Sequence, residues 1–368
     1  MNASSSRRLF SLDALRGFAM FWIIGGDALV RAMAQFTDWP LFRWMEMQCE
    51  HVAWNGFHAF DLVFPLFLFV SGVTMPFSLV RRLGEGERRA DLYKRMARRA
   101  VLLVLLGLVY NRILAFQWVD MRYASVLGRI GAASFLAGLI VLNAKPRTQM
   151  FWVVGILLGY WAVMALVPVP GFGHGVFSPE GNLAGFVDRH LLPGRLYAGS
   201  FDPEGLLSTL PAVATVLLGA IAGEYLRYPE YTEEQTALRI FIAGVVALAL
   251  GWFWDGVFPV NKSLWTSSFV LVAGGWSLML LAGFYYVVDV LELRRWAWPL
   301  VLIGLNPITI YLVQEGILNF PAIAQYVLGG LVGLLPGGLA LVAMALGVIA
   351  AKLLFLWFLD RQKIYLKV

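Results

Sequence analysis

Charge is scarce in this chain: only 14% of its 368 residues are Asp, Glu, Lys or Arg, where a soluble globular domain carries about a quarter. A soluble enzyme of this length is thereby excluded. Cysteine is nearly absent too. Cys49 is the single one, so the chain can form neither an internal disulfide nor a cysteine metal cluster. Histidine is limited to four residues, and His174 and His190 show no metal-ligand spacing. Also missing are the alternating ten-residue pattern of an outer-membrane barrel, a soluble domain and a low-complexity linker.

Apolar side chains take up what charge leaves. Hydrophobic residues make up 60% of the chain and the mean hydropathy is +0.71. Many apolar runs reach the roughly 20 helical residues needed to cross a hydrocarbon core. The expected fold is all-α: a polytopic helical membrane protein forming a single transmembrane domain over residues 1–368. Ten spans are expected, near 10–31, 57–80, 97–116, 125–143, 149–168, 206–226, 238–257, 264–289, 298–318 and 338–359. The Gly-rich stretch near 329–338 is left as a loop, re-entrant segment or extra span.

The formal net charge of +6 does not indicate a nucleic-acid partner, because the basic residues cluster between spans. The densest cluster is RRLGEGERRADLYKRMARR, Arg81 to Arg99, which reads as a cytoplasmic loop under the positive-inside rule. Both termini are then expected in the cytoplasm. SRRLFSL superficially resembles a twin-arginine signal, but Asp13 and Arg16 interrupt the apolar run and no small-residue cleavage site follows. Arg7 and Arg8 are expected to hold the N-terminus inside.

Polarity inside the spans is the next signal, since an ionisable side chain at membrane depth costs at least about 2.5 kcal/mol on insertion scales. On this topology Asp27, His51, Asp61 and Arg129 fall at one level towards the outer leaflet, which suggests a shared polar cavity. The plainer alternative is an Asp61–Arg129 ion pair that only joins two spans. His58, His174 and His190 are weaker candidates. Asp13 and Arg16 lie three apart, on one helix face; they form either a local ion pair or, through Arg16, a phosphate contact. DPEG, Asp202 to Gly205, reads as a helix cap, with Asp202 at the N-cap and Pro203 in the first turn. Pro307 is expected to kink span nine, with Asn306 helping to satisfy the freed backbone.

The stretches SLDALRGFAMF, HVAWNGFHAFDLVFP, SVLGRIG, FDPEGLLSTLPAVATVLLGAIAG, PVNKSLWTSSFVL and GLNPITIYL occur in this order from Ser11 to Leu312. Together they resemble the heparan-alpha-glucosaminide N-acetyltransferase family. The resemblance implies a membrane-embedded acetyltransferase moving an acetyl group from cytoplasmic acetyl-CoA, a co-substrate, to an amino-sugar or glycan amine on the outer side. It implies no metal. The HVAWNG stretch makes His51 the catalytic histidine, as general base or transient acetyl carrier. Asp27 stands where the family has an asparagine, and a carboxylate there can stabilise an imidazolium. Asn55, or the Trp54 indole, is a candidate for the developing oxyanion.

Arg16, Arg129 and Asn306 are expected to bind acetyl-CoA, and Trp54, Asp61 and Asn261 the acceptor. The implied partners are the lipid bilayer and a second copy in a homodimer. A bacterial inner membrane is the expected location. The competing readings are a membrane transporter and an O-acyltransferase of cell-envelope polysaccharide.

Overall fold

The computed structural model of the chain describes residues 9–113, 116, 118, 120–227 and 230–366; Arg7 and Arg8 lie outside the described residues. Its α-helices are α1 (Phe10–Phe21), α2 (Asp27–Phe36), α3 (Pro40–Gln48), α4 (Val63–Val73), α5 (Arg81–Gly84), α6 (Arg89–Tyr110), α7 (Val126–Asn143), α8 (Pro146–Leu166), α9 (Leu183–Leu191), α10 (Thr209–Arg227), α11 (Glu233–Trp254), α12 (Ser267–Phe284), α13 (Trp298–Leu305), α14 (Pro307–Val313), α15 (Phe320–Val332) and α16 (Gly337–Arg361). No strand occurs among the described residues. The all-α reading holds.

Among the described residues, eight helical stretches are long and apolar enough to cross a membrane: Phe10–Phe36, Ala59–Gly84, Val126–Asn143, Pro146–Leu166, Thr209–Arg227, Glu233–Trp254, Ser267–Val290 and Gly337–Arg361. Each corresponds to one of the ten expected spans. The other two differ for physical reasons. In α6 the charged residues up to Arg99 fill the first half, leaving an apolar stretch from Ala100 to Tyr110 about 16 Å long at helical rise. The expected ninth span is divided at Asn306 into α13 and α14, because Pro307 opens the second piece. The stretch near 329–338 is the end of the 13-residue α15 and the turn joining it to α16.

The chain forms two compact units. One comprises Met1–Val52, His58–Val63 and Gly283–Lys367, the other mainly Ala53–Phe57 and Phe64–Ala282. In the first unit α1 lies against α13, and α16 packs on α2, α13 and α15. The α1–α13 approach is backbone to backbone: a Cβ at Gly17 would meet the Leu300 carbonyl at 1.7 Å, and one at Gly304 the Asp13 carbonyl at 1.9 Å. Small residues at such crossings are what van der Waals packing in lipid selects. The amino end of α1 is closed by Asp289, whose carboxylate accepts the Phe10 and Ser11 N–H groups, each at 3.1 Å. These are donors the helix itself cannot satisfy.

In the second unit α6 and α7 form a hairpin, and α10 packs on α7 and α8. Ser125 caps α7 through the Gly128 N–H at 3.0 Å. The long connection expected over 169–205 contains α9, capped by Asn182 on the Gly185 N–H. The expected cap at Asp202 is corrected. Helix α10 begins only at Thr209, and Asp202 instead accepts Arg122 Nε at 2.8 Å, the Tyr197 N–H at 3.1 Å and the Glu204 N–H at 2.9 Å. A half-buried guanidinium competes for this carboxylate more strongly than a helix end does.

Candidate active site

His51 lies three residues beyond the end of α3, in an irregular stretch that leads to a 3-10 turn over Ala59–Leu62. The turn is closed by its own backbone, with the Asp61 N–H donating to the His58 carbonyl at 2.9 Å. Asp61 Oδ2 accepts the His58 N–H at 3.0 Å, and Oδ1 lies 2.7 Å from His51 Nδ1. Two further bonds fasten α3 to the turn: Gln48 Oε1 accepts the Ala59 N–H at 3.0 Å, and His58 Nδ1 donates to the Glu50 carbonyl at 2.9 Å. Phe60 packs against the His51 ring, centroid to centroid 5.0 Å.

The Asp61 side chain is 1% exposed and that of His51 52%. The carboxylate is therefore shut away while the ring stays open. An ionised carboxylate only accepts hydrogen bonds, so in neutral His51 the proton sits on Nδ1 and the lone pair on Nε2. That is the arrangement a general base or nucleophile requires. Asp61, expected at the acceptor, is in direct contact with the histidine ring.

In the second unit the Trp54–Asn55 segment is held by Asn261. Its Nδ2 donates to the Trp54 carbonyl and to Asn55 Oδ1, both at 3.0 Å, and its Oδ1 accepts the Leu264 N–H at 2.9 Å. The Leu264 bond fixes which end of the Asn261 amide is oxygen, so the Asn55 atom facing it is oxygen too. The NH2 group of the exposed Asn55 is the end of its amide that Asn261 does not use. The Trp54 indole N–H donates to the Phe177 carbonyl at 2.8 Å. Asn261, wholly buried, supports the segment from beneath.

The remaining expected site residues are bonded within the protein. Asp27 opens α2 with Arg31 at 3.9 Å. Burial, then the Asp27 charge, pushes the Cys49 thiol above its ordinary range, with Arg31 opposing. Arg16 Nη1 donates to Asp13 at 3.2 Å and to the Gly304 carbonyl at 3.1 Å. Asn306 donates from Nδ2 to the Ile364 carbonyl at 3.0 Å and accepts the Leu366 N–H at 3.3 Å. The buried Arg129 donates through Nη2 to the Gly205 carbonyl at 3.1 Å and to Ser208 Oγ, with its guanidinium 5.1 Å from the Trp265 ring.

Sequence reasoning missed three charged groups. Arg122 pairs with Asp202 and Glu204. Burial works against its charge, but the two carboxylates outweigh it and hold the guanidinium above its ordinary range. Burial pushes Asp188 up to about 6, against the lowering effect of the Leu206 N–H and with the Asp202 charge adding to the rise. Lys352, inside α16, donates to the Ile24 carbonyl at 2.7 Å and to Gln314 Oε1 at 3.0 Å. No spacing rule marks any of them, because their partners lie far away in sequence. Among the described residues, no group of three or more His, Cys, Asp or Glu is placed to hold a metal ion.

Comparison with known proteins bears on what this arrangement does. The sequence model of the family described as heparan-alpha-glucosaminide N-acetyltransferase, catalytic, matches residues 8–249. The human heparan-alpha-glucosaminide N-acetyltransferase is 27% identical over 368 residues, covering 85% of this chain and 53% of that protein. The mouse protein of the same name is 26% identical over 374 residues, covering 86% and 55%. The chain thus spans about half the length of the curated relatives it matches. The match extends over well more than half of the chain and takes in the turn that joins His51 to Asp61, so the chain belongs to the heparan-alpha-glucosaminide N-acetyltransferase catalytic family.

Proposed function

We propose that this protein is a membrane-embedded acetyltransferase that moves an acetyl group from acetyl-CoA to the amine of an amino sugar, working as one transmembrane catalytic domain. The observation that carries the reading is the 2.7 Å contact between His51 Nδ1 and Asp61 Oδ1. It gives the open imidazole the tautomer whose Nε2 can take a proton. Family membership supplies the reaction class.

In direct transfer, His51 Nε2 accepts the proton of the acceptor nitrogen as the C–N bond forms at the thioester carbonyl. The C–S bond then breaks, and the proton passes from Nε2 to the departing thiolate. Buried Asp61 stabilises the imidazolium between these steps and keeps the ring from rotating. Asn55, in the same HVAWNG stretch as His51, is the donor we assign to the carbonyl oxygen as it gains charge. Trp54 contributes by anchoring its own segment, with its N–H on the Phe177 carbonyl and its ring against Phe201. Asp27 adds a second negative charge on the same unit as His51.

The donor's phosphates belong on the cytoplasmic side, near Arg16 and the basic Arg81–Arg99 stretch, and the acceptor on the outer side. Arg129 and Asn306 contribute by holding protein carbonyls. The bacterial inner membrane and a homodimer remain parts of this proposal. The test is free-thiol release by purified protein given acetyl-CoA and glucosamine. His51→Ala is expected to abolish release while acetyl-CoA still binds. Wild-type protein that releases no thiol above background with any amino sugar would overturn the reading in favour of transport.

A further inference from the structure

The first span is interrupted. Between α1 and α2 the backbone passes through a π-type turn over Trp22–Gly26, and Gly25 within it takes φ 146°, ψ −2°. That is a conformation side-chain-bearing residues rarely adopt. A broken helix leaves carbonyls that need a donor from elsewhere, and in a membrane no water is at hand to supply one. Here the donor is an ammonium. Lys352 Nζ, on α16, reaches the Ile24 carbonyl immediately before the break at 2.7 Å and takes Gln314 Oε1, just beyond α14, at 3.0 Å. Lys352 is 8% exposed, and the acids within its electrostatic range are Asp27 and Glu315. Three residues earlier on α16, Ile349 fills the space at Gly25, where an added Cβ would come within 2.9 Å of its Cγ1.

A buried lysine is costly in a span and is ordinarily found where it does a job. Its shortest bond is to the joint itself, with Gln314 and the Phe320 ring, 5.7 Å from Nζ, holding the ammonium from the other side. The residue after the joint opens α2 with Asp27, α2 packs on α3, and α3 ends three residues before His51. The charge of Asp27 in turn reaches Cys49, two residues from His51. We propose that Lys352 is a positioning residue: its ammonium pins the break in the first span and thereby sets the stance of α2, α3 and the segment that carries His51. The proposal rests on the acetyl-transfer reading for its effect on turnover, but not for its effect on structure.

Two measurements on the purified full chain separate the two. Cys49 is the only cysteine and is buried, so its labelling rate with a small maleimide reports the stance of the α2–α3 segment whether or not the protein is an enzyme. Lys352→Met, which keeps the length and loses the charge, should speed labelling at least fivefold. Lys352→Arg, which keeps a donor cation, should recover most of the protection, and Gly25→Ala should mimic Lys352→Met. In thiol-release assays Lys352→Met should lower kcat at least tenfold with KM for acetyl-CoA within twofold. Adding it to Asp27→Asn should cost less than the product of the two single effects. Labelling of Lys352→Met within twofold of wild type overturns the proposal. So does a loss of kcat that Lys352→Arg does not relieve at all. Wild-type protein without transferase activity, but with the labelling pattern above, would retire the functional reading and leave the joint standing.

Discussion

Asp61→Asn is the most informative single substitution. It preserves volume and shape, leaves an oxygen to accept the His58 N–H now bonded at 3.0 Å, and removes only the charge that faces His51 Nδ1 at 2.7 Å. If the amide oxygen keeps the backbone bond, its NH2 points at Nδ1. Since two donors cannot face one another, the ring is driven to the tautomer with the proton on Nε2. The lone pair needed for proton removal is then turned inward. Hydrogen bonds to charged groups are worth about 1.5–3 kcal/mol, and each 1.36 kcal/mol is tenfold in rate, so kcat should fall about 10- to 150-fold. The half-open ring, with water able to solvate the imidazolium, argues against the larger losses of a sealed triad. Steady-state thiol release at saturating acetyl-CoA reads the effect, and KM for acetyl-CoA should stay within about threefold. A variant with kcat within twofold of wild type, correctly folded by gel filtration, would refute the role given to this pair.

The other predictions concern the second unit. Arg122→Ala strips the ion partner from the buried Asp202 carboxylate, a loss on the order of 3 kcal/mol; a melting temperature lower by about 5 °C or more is expected, and an unchanged melt would count against the cluster. Asp188 has its folded-state pKa raised to about 6 from an ordinary 3.8, so the folded form binds a proton more tightly than the unfolded one. Stability should therefore rise as pH falls from 7 towards 4 through this residue, by on the order of 2–3 kcal/mol. Asp188→Asn should flatten that window in thermal melts. A wild-type profile already flat between pH 7 and 4 would contradict the burial of the charge.

Much of the fold was legible because lipid imposes a simple code. Length and hydropathy located the eight apolar spans, and the bounds from α7 to α12 follow the runs closely. The code says less where an apolar run is not one uniform helix. Helix α6 carries its charged loop upward into the same helix, and Pro307 cuts the ninth run in two. At the site, His51 was legible from its motif but its partner was not. Asp61 had been placed on a helix, where a residue ten positions away is no neighbour, whereas the chain between them is irregular and folds back through the 58–62 turn. Asp202 shows the opposite error: a local cap signal lost to Arg122, 80 positions away. Lys352 was invisible because its partner is a main-chain carbonyl, and every residue has one.

The bonds from Asn306 to Ile364 and Leu366 tie the stretch after α16 to the break between α13 and α14. A pull on that stretch, as from a reporter or affinity handle joined close to it, will be felt at that break. Preparations tagged there would compare poorly with those tagged elsewhere.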